Sequence, residues 1–346
     1  MVPTGANRPR REQAAVAVVA AVALGLLATT AVRAVALERP DPPPVSRGDV
    51  QPGLPPAPRA ATSPFQGSSP YTAMWLWDNP VHVTHDARGR DFVDADPPTV
   101  AAFAHEHGVS TVYVAAPWAS DEGPVAAWVD DMVVVLRGEG VDVALLGGDA
   151  TWLGDPSLGA RWVRDALHGR GVDRVQLSLE PWALPLWQTD RDRAVAQWDA
   201  ATDAVRAALP DGVALGVDAP YWLAGVPDGR GATLFDHVLS RADSVALITY
   251  RDTALGDEGV LALSADARRA AGDAGVPYTI GLETDSPLVA GGPEHTFFDD
   301  GVLALDSQAR LVDEALRGDD AYRGIAVERY RTWRHLAEVA AGTLVR

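Results

Sequence analysis

From residue 71 onward, short apolar runs alternate regularly with amphipathic stretches. The runs are rich in aliphatic and β-branched residues and predict strands, whereas apolar positions spaced three or four apart predict helices. The predicted strands are 71–78, 111–116, 141–149, 174–180, 214–218, 244–251, 277–283 and 324–329. The clearest helices between them are 98–107, 156–169, 190–209 and 264–274. This alternation predicts a (β/α)8 barrel, with a doubly wound open sheet as the alternative.

Two of these strands divide their side chains sharply between two faces. In strand 174–180 the odd positions are aliphatic, whereas the even positions are Gln176, Ser178 and Glu180. The seventh strand has the same division, because the face that ends in Glu283 is otherwise polar or small. Successive side chains of a strand point to opposite faces. We therefore expect an outer face packed on helices and an inner face that leads to the barrel mouth.

The first 69 residues have a different character. Residues 1–13 form a basic tail, and an uncharged stretch within 14–37 is long enough to span a bilayer. The arginines before it predict a cytoplasmic amino end and a carboxy-terminal domain outside the cell membrane. A small-residue cleavage site at 34–36 leaves a signal peptide, and hence secretion, as the alternative. Residues 38–69 are proline-rich and predict an extended linker before the barrel domain, 70–346.

Composition limits the chemistry that is available. The formal net charge is -18, and a field of that sign repels nucleic acid. The sequence has no cysteine and no lysine, which excludes thiol nucleophiles, Schiff bases and the lysine of a phosphate-binding loop. The catalytic groups that remain are carboxylates, histidine, serine, threonine and tyrosine, with arginine as the only fixed cation, and we expect no cofactor.

Carboxylates end most of the predicted strands, where a barrel of this kind holds its active site. Asp149 and Asp218 have an alternative role, because an acid after a strand often caps the next helix. Glutamate is a poor amino-terminal cap, so this alternative is weaker for Glu180 and Glu283. These two glutamates are the predicted catalytic pair.

The placement of these two residues resembles the (β/α)8 glycoside hydrolases that carry catalytic carboxylates on strands four and seven. The resemblance implies that Glu180 is the acid/base and Glu283 the nucleophile. Glu180-Pro181 is similar to the Asn-Glu-Pro signature of that superfamily, with Leu179 in place of the asparagine. Segments 75–78, 147–149, 218–222, 248–252 and 281–284 resemble uncharacterised bacterial proteins regarded as glycosidases. Over residues 71–340 the resemblance implies a carbohydrate substrate.

Glycoside cleavage requires one protonated carboxyl group and one ionised carboxylate. Aromatic rings at strand ends suit the C–H faces of sugar rings. The residues that we expect to bind substrate are Trp75, Asp78, Trp118, Asp149, Trp152, Trp182, Asp218, Trp222, Tyr250, Arg251 and Glu328. For each tryptophan, packing of a loop onto the barrel is the alternative role.

Two other functions remain open from the sequence. The first is a carbohydrate-binding barrel without turnover, which keeps the aromatic cleft. The second is a metal-dependent amide or ester hydrolase, since His82, His85 and Asp86 follow the first predicted strand. No later strand ends in histidine, so the prediction includes no metal site.

Overall fold

The computed structural model describes residues 69–342, and eight parallel strands in this part close into a barrel in sequence order. The strands are β1 (Tyr71–Leu76), β2 (Thr111–Ala115), β3 (Asp142–Gly147), β4 (Arg174–Leu177), β5 (Ala214–Pro220), β6 (Ser244–Ile248), β7 (Tyr278–Glu283) and β8 (Tyr322–Glu328). Pairing of β1 with β8 completes the ring. The predicted (β/α)8 barrel is thereby confirmed.

Helices follow the strands and surround the barrel. They are α1 (Pro97–His107), α2 (Gly123–Gly138), α3 (Pro156–Leu167), α4 (Pro185–Thr189), α5 (Arg191–Ala208), α6 (Leu234–Leu239), α7 (Val260–Leu263), α8 (Ala265–Ala274), α9 (Pro287–Ala290), α10 (Val302–Leu316) and α11 (Tyr330–Ala340). Short 3-10 turns lie in the loops at Val93–Ala95, Ala150–Leu153, Pro181–Ala183, Tyr221–Gly225 and Pro293–His295. All four clearest predicted helices are present, with ends within two residues of those predicted.

Local signals explain where the helices begin and end. The carboxylate of Asp96 accepts a hydrogen bond from the main-chain N–H of Thr99, and proline occupies the first turn of α1. The same helix ends at Gly108, whose φ of 74° is in the left-handed region that favours glycine. Helix α6 begins with a reciprocal capping box between Thr233 and Asp236. These signals fix the length of each crossover between strands.

The barrel separates two apolar layers. The larger layer lies between the strands and the surrounding helices, and includes the outward side chains Val175 and Leu177 of β4. A smaller cluster fills the barrel interior, and consists of Ala73, Trp75, Tyr113, Ala144, Leu146, Ala246 and Ala326, with Trp77 packed against it. The predicted division of β4 into an apolar outer face and a polar inner face is confirmed, because Gln176 points inward to a residue of β5.

Several predicted strands end earlier in the structure than in the sequence analysis. β1, β3, β4 and β6 stop two or three residues before their predicted ends. The remaining residues, Glu180 among them, form loops that lead out of the barrel mouth. β5 instead continues two residues past Asp218, to Pro220. The residues predicted to form the active site thus lie at the carboxyl ends of strands and in the loops directly after them.

The predicted tail, membrane span and linker within residues 1–69 lie outside the described residues, except for Ser69. Within residues 69–342, no helix has the length and apolar character that crossing a bilayer requires.

Candidate active site

Four acidic residues meet at the carboxyl ends of the strands. Glu180 follows β4, Asp218 lies on β5, and Glu283 and Glu328 end β7 and β8. Glu283 and Glu328 are register partners on neighbouring strands. All four carboxylates act electrostatically on the hydroxyl group of Tyr250, which follows β6. The sequence-predicted Glu180, Asp218, Tyr250, Glu283 and Glu328 therefore share one mouth.

Asp218 is held rigidly inside the barrel. Its side chain is 2% exposed and accepts hydrogen bonds from Trp75 Nε1 at 3.1 Å and Gln176 Nε2 at 2.6 Å. Burial raises the pKa of Asp218 to about 6, although these hydrogen bonds and the Ser178 hydroxyl oppose the shift. Asp218 therefore remains largely ionised at neutral pH. It does not cap a helix, the alternative role considered from the sequence, because β5 continues past it to Pro220.

Glu180 is partly buried and lies in the loop three residues after the end of β4. Burial, followed by the negative charge of Asp218, raises the pKa of Glu180 to about 8. Its carboxyl group is consequently protonated at neutral pH. A protonated acid beside an ionised one is an arrangement suited to acid/base chemistry.

Glu283 and Glu328 form a second pair. Glu283 is 1% exposed, and its Oε1 accepts main-chain N–H groups of Thr284 at 2.8 Å and Asp285 at 2.7 Å. Burial, followed by the charge of Asp285, raises the pKa of Glu283 above its usual range, although the two N–H groups and Arg329 oppose this shift. Burial and Glu283 raise the pKa of Glu328 well above its usual range. The N–H donors therefore favour the charge on Glu283 and the shared proton on Glu328.

An ionic network borders this pair. The guanidinium of Arg329 lies 3.1 Å from Asp78 and 3.3 Å from Asp285, and Arg331 lies 3.5 Å from Asp78. Asp78 is 4% exposed. The predicted substrate contact of Asp78 therefore competes with two arginines, and the side chain links β1 to the loops after β7 and β8.

Aromatic rings line the interior beneath the carboxylates. The rings of Trp75 and Tyr113 meet edge to face, with centroids 5.1 Å apart. A Cβ atom at Gly281 would lie 3.5 Å from the rings of both Trp75 and Tyr250 and 3.0 Å from the carbonyl oxygen of Leu247. Gly281 therefore lies beneath both rings, and its closest approach is to the main chain of β6. Trp75 is 1% exposed, so it supports Asp218 and does not present a ring face to a ligand.

The remaining predicted tryptophans do not form one cleft. Trp152 and Trp182 are buried, which corrects their predicted contact with substrate. Trp152 packs 5.4 Å from Trp162 of α3, and Trp182 packs 5.9 Å from Trp222. These two rings attach loops to helices, the alternative role considered from the sequence. Trp222 is partly exposed.

Trp118 occupies the rim on the β1 and β2 side and is 67% exposed. The guanidinium of Arg88 lies 5.2 Å from its ring centroid. Arg88 also bonds Asp86 at 2.7 Å and the carbonyl oxygen of Trp118 at 2.9 Å. An aromatic ring held in this way is suited to stacking against a sugar.

Asp149 and Arg251, two of the residues predicted to bind substrate, form hydrogen bonds with residues next to them in the chain. Asp149 is exposed, and its Oδ1 accepts hydrogen bonds from the main-chain N–H of Thr151 at 2.8 Å and its hydroxyl at 2.6 Å. It therefore caps the turn after β3. Arg251 is partly exposed and donates to the carbonyl oxygen of Tyr250 at 3.4 Å.

The segment weighed as a metal site has other partners. Asp86 pairs with Arg88, and His82 lies 2.7 Å from the Thr84 hydroxyl and 3.7 Å from Asp91. In the described part of the chain, no three or more acidic or histidine side chains are grouped as metal ligands.

Three contributors to the site were missed from the sequence. Trp77 donates to Glu328 Oε1 at 2.7 Å, Gln176 donates to Asp218, and Tyr113 packs on Trp75. Each occupies an inward-facing position of its strand or the residue after it. Extending the alternation of β4 to β1 and β2 would have found Trp77 and Tyr113.

No known protein-family model and no curated protein matches this sequence. Among solved structures, the chain is similar to a chitinase from Rhizomucor miehei, at 14% identity over 78% of this chain and 99% of that one, with a TM-score of 0.46. It is also similar to a chitinase from Bacteroides thetaiotaomicron, at 10% identity over 77% of this chain and 91% of that one, with a TM-score of 0.49. A third similar structure is the spore cortex-lytic enzyme SleL from Bacillus cereus, at 11% identity over 78% of this chain and 74% of that one, with a TM-score of 0.46. At these identities, the similarity concerns the fold.

Proposed function

We propose that this protein is a glycoside hydrolase that cleaves an extracytoplasmic glycan, with Glu180 as its general acid/base. The observation that carries the proposal is the position of Glu180 at the barrel mouth, after β4 and beside Asp218 of β5, where burial and the charge of Asp218 raise its pKa to about 8. Cleavage of a glycosidic bond requires a proton for the leaving oxygen. Glu180 has that proton at the pH where a neighbouring acid is already ionised.

The second carboxylate in this proposal is Glu283. Two main-chain N–H groups hold one of its oxygens, and Arg329 lies close enough to lower its pKa. These donors fix the orientation of the carboxylate and favour its ionised form. Glu283 attacks the anomeric carbon if the two carboxyl groups are roughly 5 to 5.5 Å apart, or activates water if they are roughly 6.5 to 9.5 Å apart. Glu328 serves as the proton-holding neighbour of Glu283.

Substrate contacts in the proposal come from residues that retain exposure around the mouth. Trp118 supplies an aromatic face on one side, and the partly exposed Trp222 supplies another. Tyr250 and Arg251 extend from β6 between them. Asp218 and Trp75 act from below, because they position Glu180 and the inner wall without reaching solvent.

The location outside the membrane is also a proposal. It rests on the basic tail 1–13, the apolar stretch within 14–37 and the proline-rich linker 38–69. When the full-length protein is made in a bacterial host, we expect it in the membrane fraction and open to protease added to spheroplasts. Recovery in the cytosol, protected from protease, would contradict this location.

The function is tested with a panel of polysaccharides and oligosaccharides, with release of reducing ends as the readout. We expect cleavage by the full-length protein and a loss of about 10²- to 10⁴-fold in Glu180→Gln. Glu283→Gln should lose activity to a comparable degree. Glu314→Gln, on the exposed side of α10, is the control and should retain full activity. If the protein binds glycans but cleaves none, it is the carbohydrate-binding barrel without turnover, and the proposal of a glycoside hydrolase is wrong.

A further inference from the structure

Negative charge at the barrel mouth exceeds the positive charge that the protein supplies there. Four carboxylates, which lie at or after the ends of β4, β5, β7 and β8, act electrostatically on Tyr250, and three of them belong to side chains that are at most 7% exposed. Arg329 divides its charge between Asp78 and Asp285 at the border of this group. Lysine is absent from the whole sequence. Buried carboxylates in such numbers must bind protons or a cation.

Tyr250 gives an independent indication of a ligand. Its side chain is 7% exposed, and within residues 69–342 its hydroxyl makes no hydrogen bond. The ring packs over Gly281, and the hydroxyl lies within the electrostatic reach of all four carboxylates. Although the ring is buried, the hydroxyl oxygen retains contact with the open mouth, so it is available to a ligand. An unpartnered phenol among carboxylates is suited to a ligand group that donates hydrogen bonds and carries positive charge.

We propose that the sugar bound at this mouth carries a free ammonium group, so that the substrate is a de-N-acetylated amino-sugar polymer. The inference rests on the proposed function and names its substrate class. An ammonium group donates three hydrogen bonds, which carboxylate and phenol oxygens can accept. An acetamido or hydroxyl group would leave the negative charges of Asp218 and Glu283 without an added cation, and a uronic acid would add to them.

Binding of an ammonium group has a measurable consequence for protons. An ammonium group beside Glu283 and Glu328 favours their ionised forms, so the proton that these two residues share leaves when the sugar binds, whereas Glu180 keeps the proton that cleavage requires. A neutral sugar of the same length has no such effect. The titratable and charged groups that face this mouth are Asp78, Tyr113, Glu180, Asp218, Tyr250, Glu283, Asp285, Glu328, Arg329 and Arg331.

The experiment compares oligomers of equal length and linkage that differ only at nitrogen. Glucosamine and galactosamine oligomers are each paired with their fully N-acetylated forms, and a neutral glucan is included. We expect kcat/KM to be at least about tenfold higher for the free amines, in line with hydrogen bonds to charged groups. Glu328→Gln should reduce this preference, while Glu314→Gln should retain it.

Calorimetry on the full-length Glu180→Gln variant measures binding without consumption of the sugar. At a pH where the free amines are already ammonium groups in solution, titrations in two buffers of different ionisation enthalpy should show proton release with the free amines and none with the N-acetylated forms. Equal or faster cleavage of N-acetylated or neutral oligomers would overturn the substrate class and leave the hydrolase proposal intact. Failure to cleave any glycan would instead overturn the hydrolase proposal itself.

Discussion

At the scale of single residues, the site depends on the difference in pKa between two acids, Glu180 and Asp218. Glu180 follows β4 and Asp218 lies on the neighbouring β5, and burial raises their pKa values to about 8 and about 6. Asp218 accepts two short hydrogen bonds that stabilise its charge, and that charge helps to keep the proton on Glu180. Neighbouring acids with separated pKa values can divide the roles of proton donor and charged partner.

This difference predicts the alkaline side of the pH profile. Glu180 donates a proton only while its carboxyl group is protonated, so kcat/KM should fall as pH rises through about 8. The measurement is initial rate against pH at low concentrations of a cleaved glycan. A rate that stays constant well beyond pH 9 would contradict the role of Glu180 as proton donor.

Substitution of Asp218 tests why Glu180 retains its proton. Asp218→Asn removes a negative charge beside Glu180, so the pKa of Glu180 should fall and the alkaline limb should move to lower pH by on the order of one unit. Asp320→Asn, in the exposed turn before β8, is the matched control and should leave the profile unchanged. An unshifted limb in Asp218→Asn would show that burial alone raises the pKa.

The sequence predicted individual site residues unevenly, for a physical reason. Glu180, Glu283 and Glu328 were predictable because a polar residue at the end of an inward strand face reaches the mouth. Trp152 and Trp182 were not, because a tryptophan after a strand can turn toward a helix as readily as toward solvent. Their surroundings depend on tertiary contacts with Trp162 and Trp222, which the local sequence does not specify.

At the scale of elements, the contact between β3 and α3 shows how helices fix the barrel. Gly147 ends β3, and a Cβ atom there would lie 2.2 Å from the ring of Trp162. Trp162 is 3% exposed and donates to the carbonyl oxygen of Ala116 at 2.6 Å. One side chain of α3 therefore joins β3 to the end of β2.

Gly147→Ala should consequently destabilise the fold. The added methyl group has no space beside Trp162, and overpacking of this kind costs about 1–3 kcal/mol of unfolding free energy. Gly272→Ala in α8 is the control, because nothing lies within 4 Å of its Cβ position and alanine favours the helix by about 0.5–1 kcal/mol. Urea denaturation should therefore move the two midpoints in opposite directions. An unchanged midpoint in Gly147→Ala would refute the close contact.

Elements were easier to predict than their ends. Helix caps such as Asp96 and the alternation of aliphatic positions in β4 are local signals. Strand ends are set instead by pairing with neighbours, and β4 stops at Leu177 because its partners on β3 and β5 end their pairing there. Ser178 and Leu179 continue the alternating pattern of a strand, but in the structure they belong to the loop at the barrel mouth.

At the scale of the whole molecule, acids with raised pKa values make stability depend on pH. Glu180, and the pair Glu283 and Glu328, which shares one proton, bind protons in the folded state at pH values where the unfolded chain has lost them. The unfolding free energy should therefore fall between pH 5 and pH 8, by on the order of 2–4 kcal/mol. Denaturation at several pH values measures this slope, and Glu328→Gln should flatten it. Stability that rises over this interval would contradict the protonated state of the cluster.

The measurement that tests the central claim most directly is the leaving-group dependence of Glu180→Gln. A sugar leaving group needs a proton from Glu180, whereas an activated aryl leaving group departs without one. We expect the variant to lose about 10²- to 10⁴-fold in kcat/KM on the natural glycan and less than about tenfold on a dinitrophenyl glycoside of the same sugar. Equal losses on the two substrates, or no loss on either, would contradict the assignment of Glu180 as the general acid.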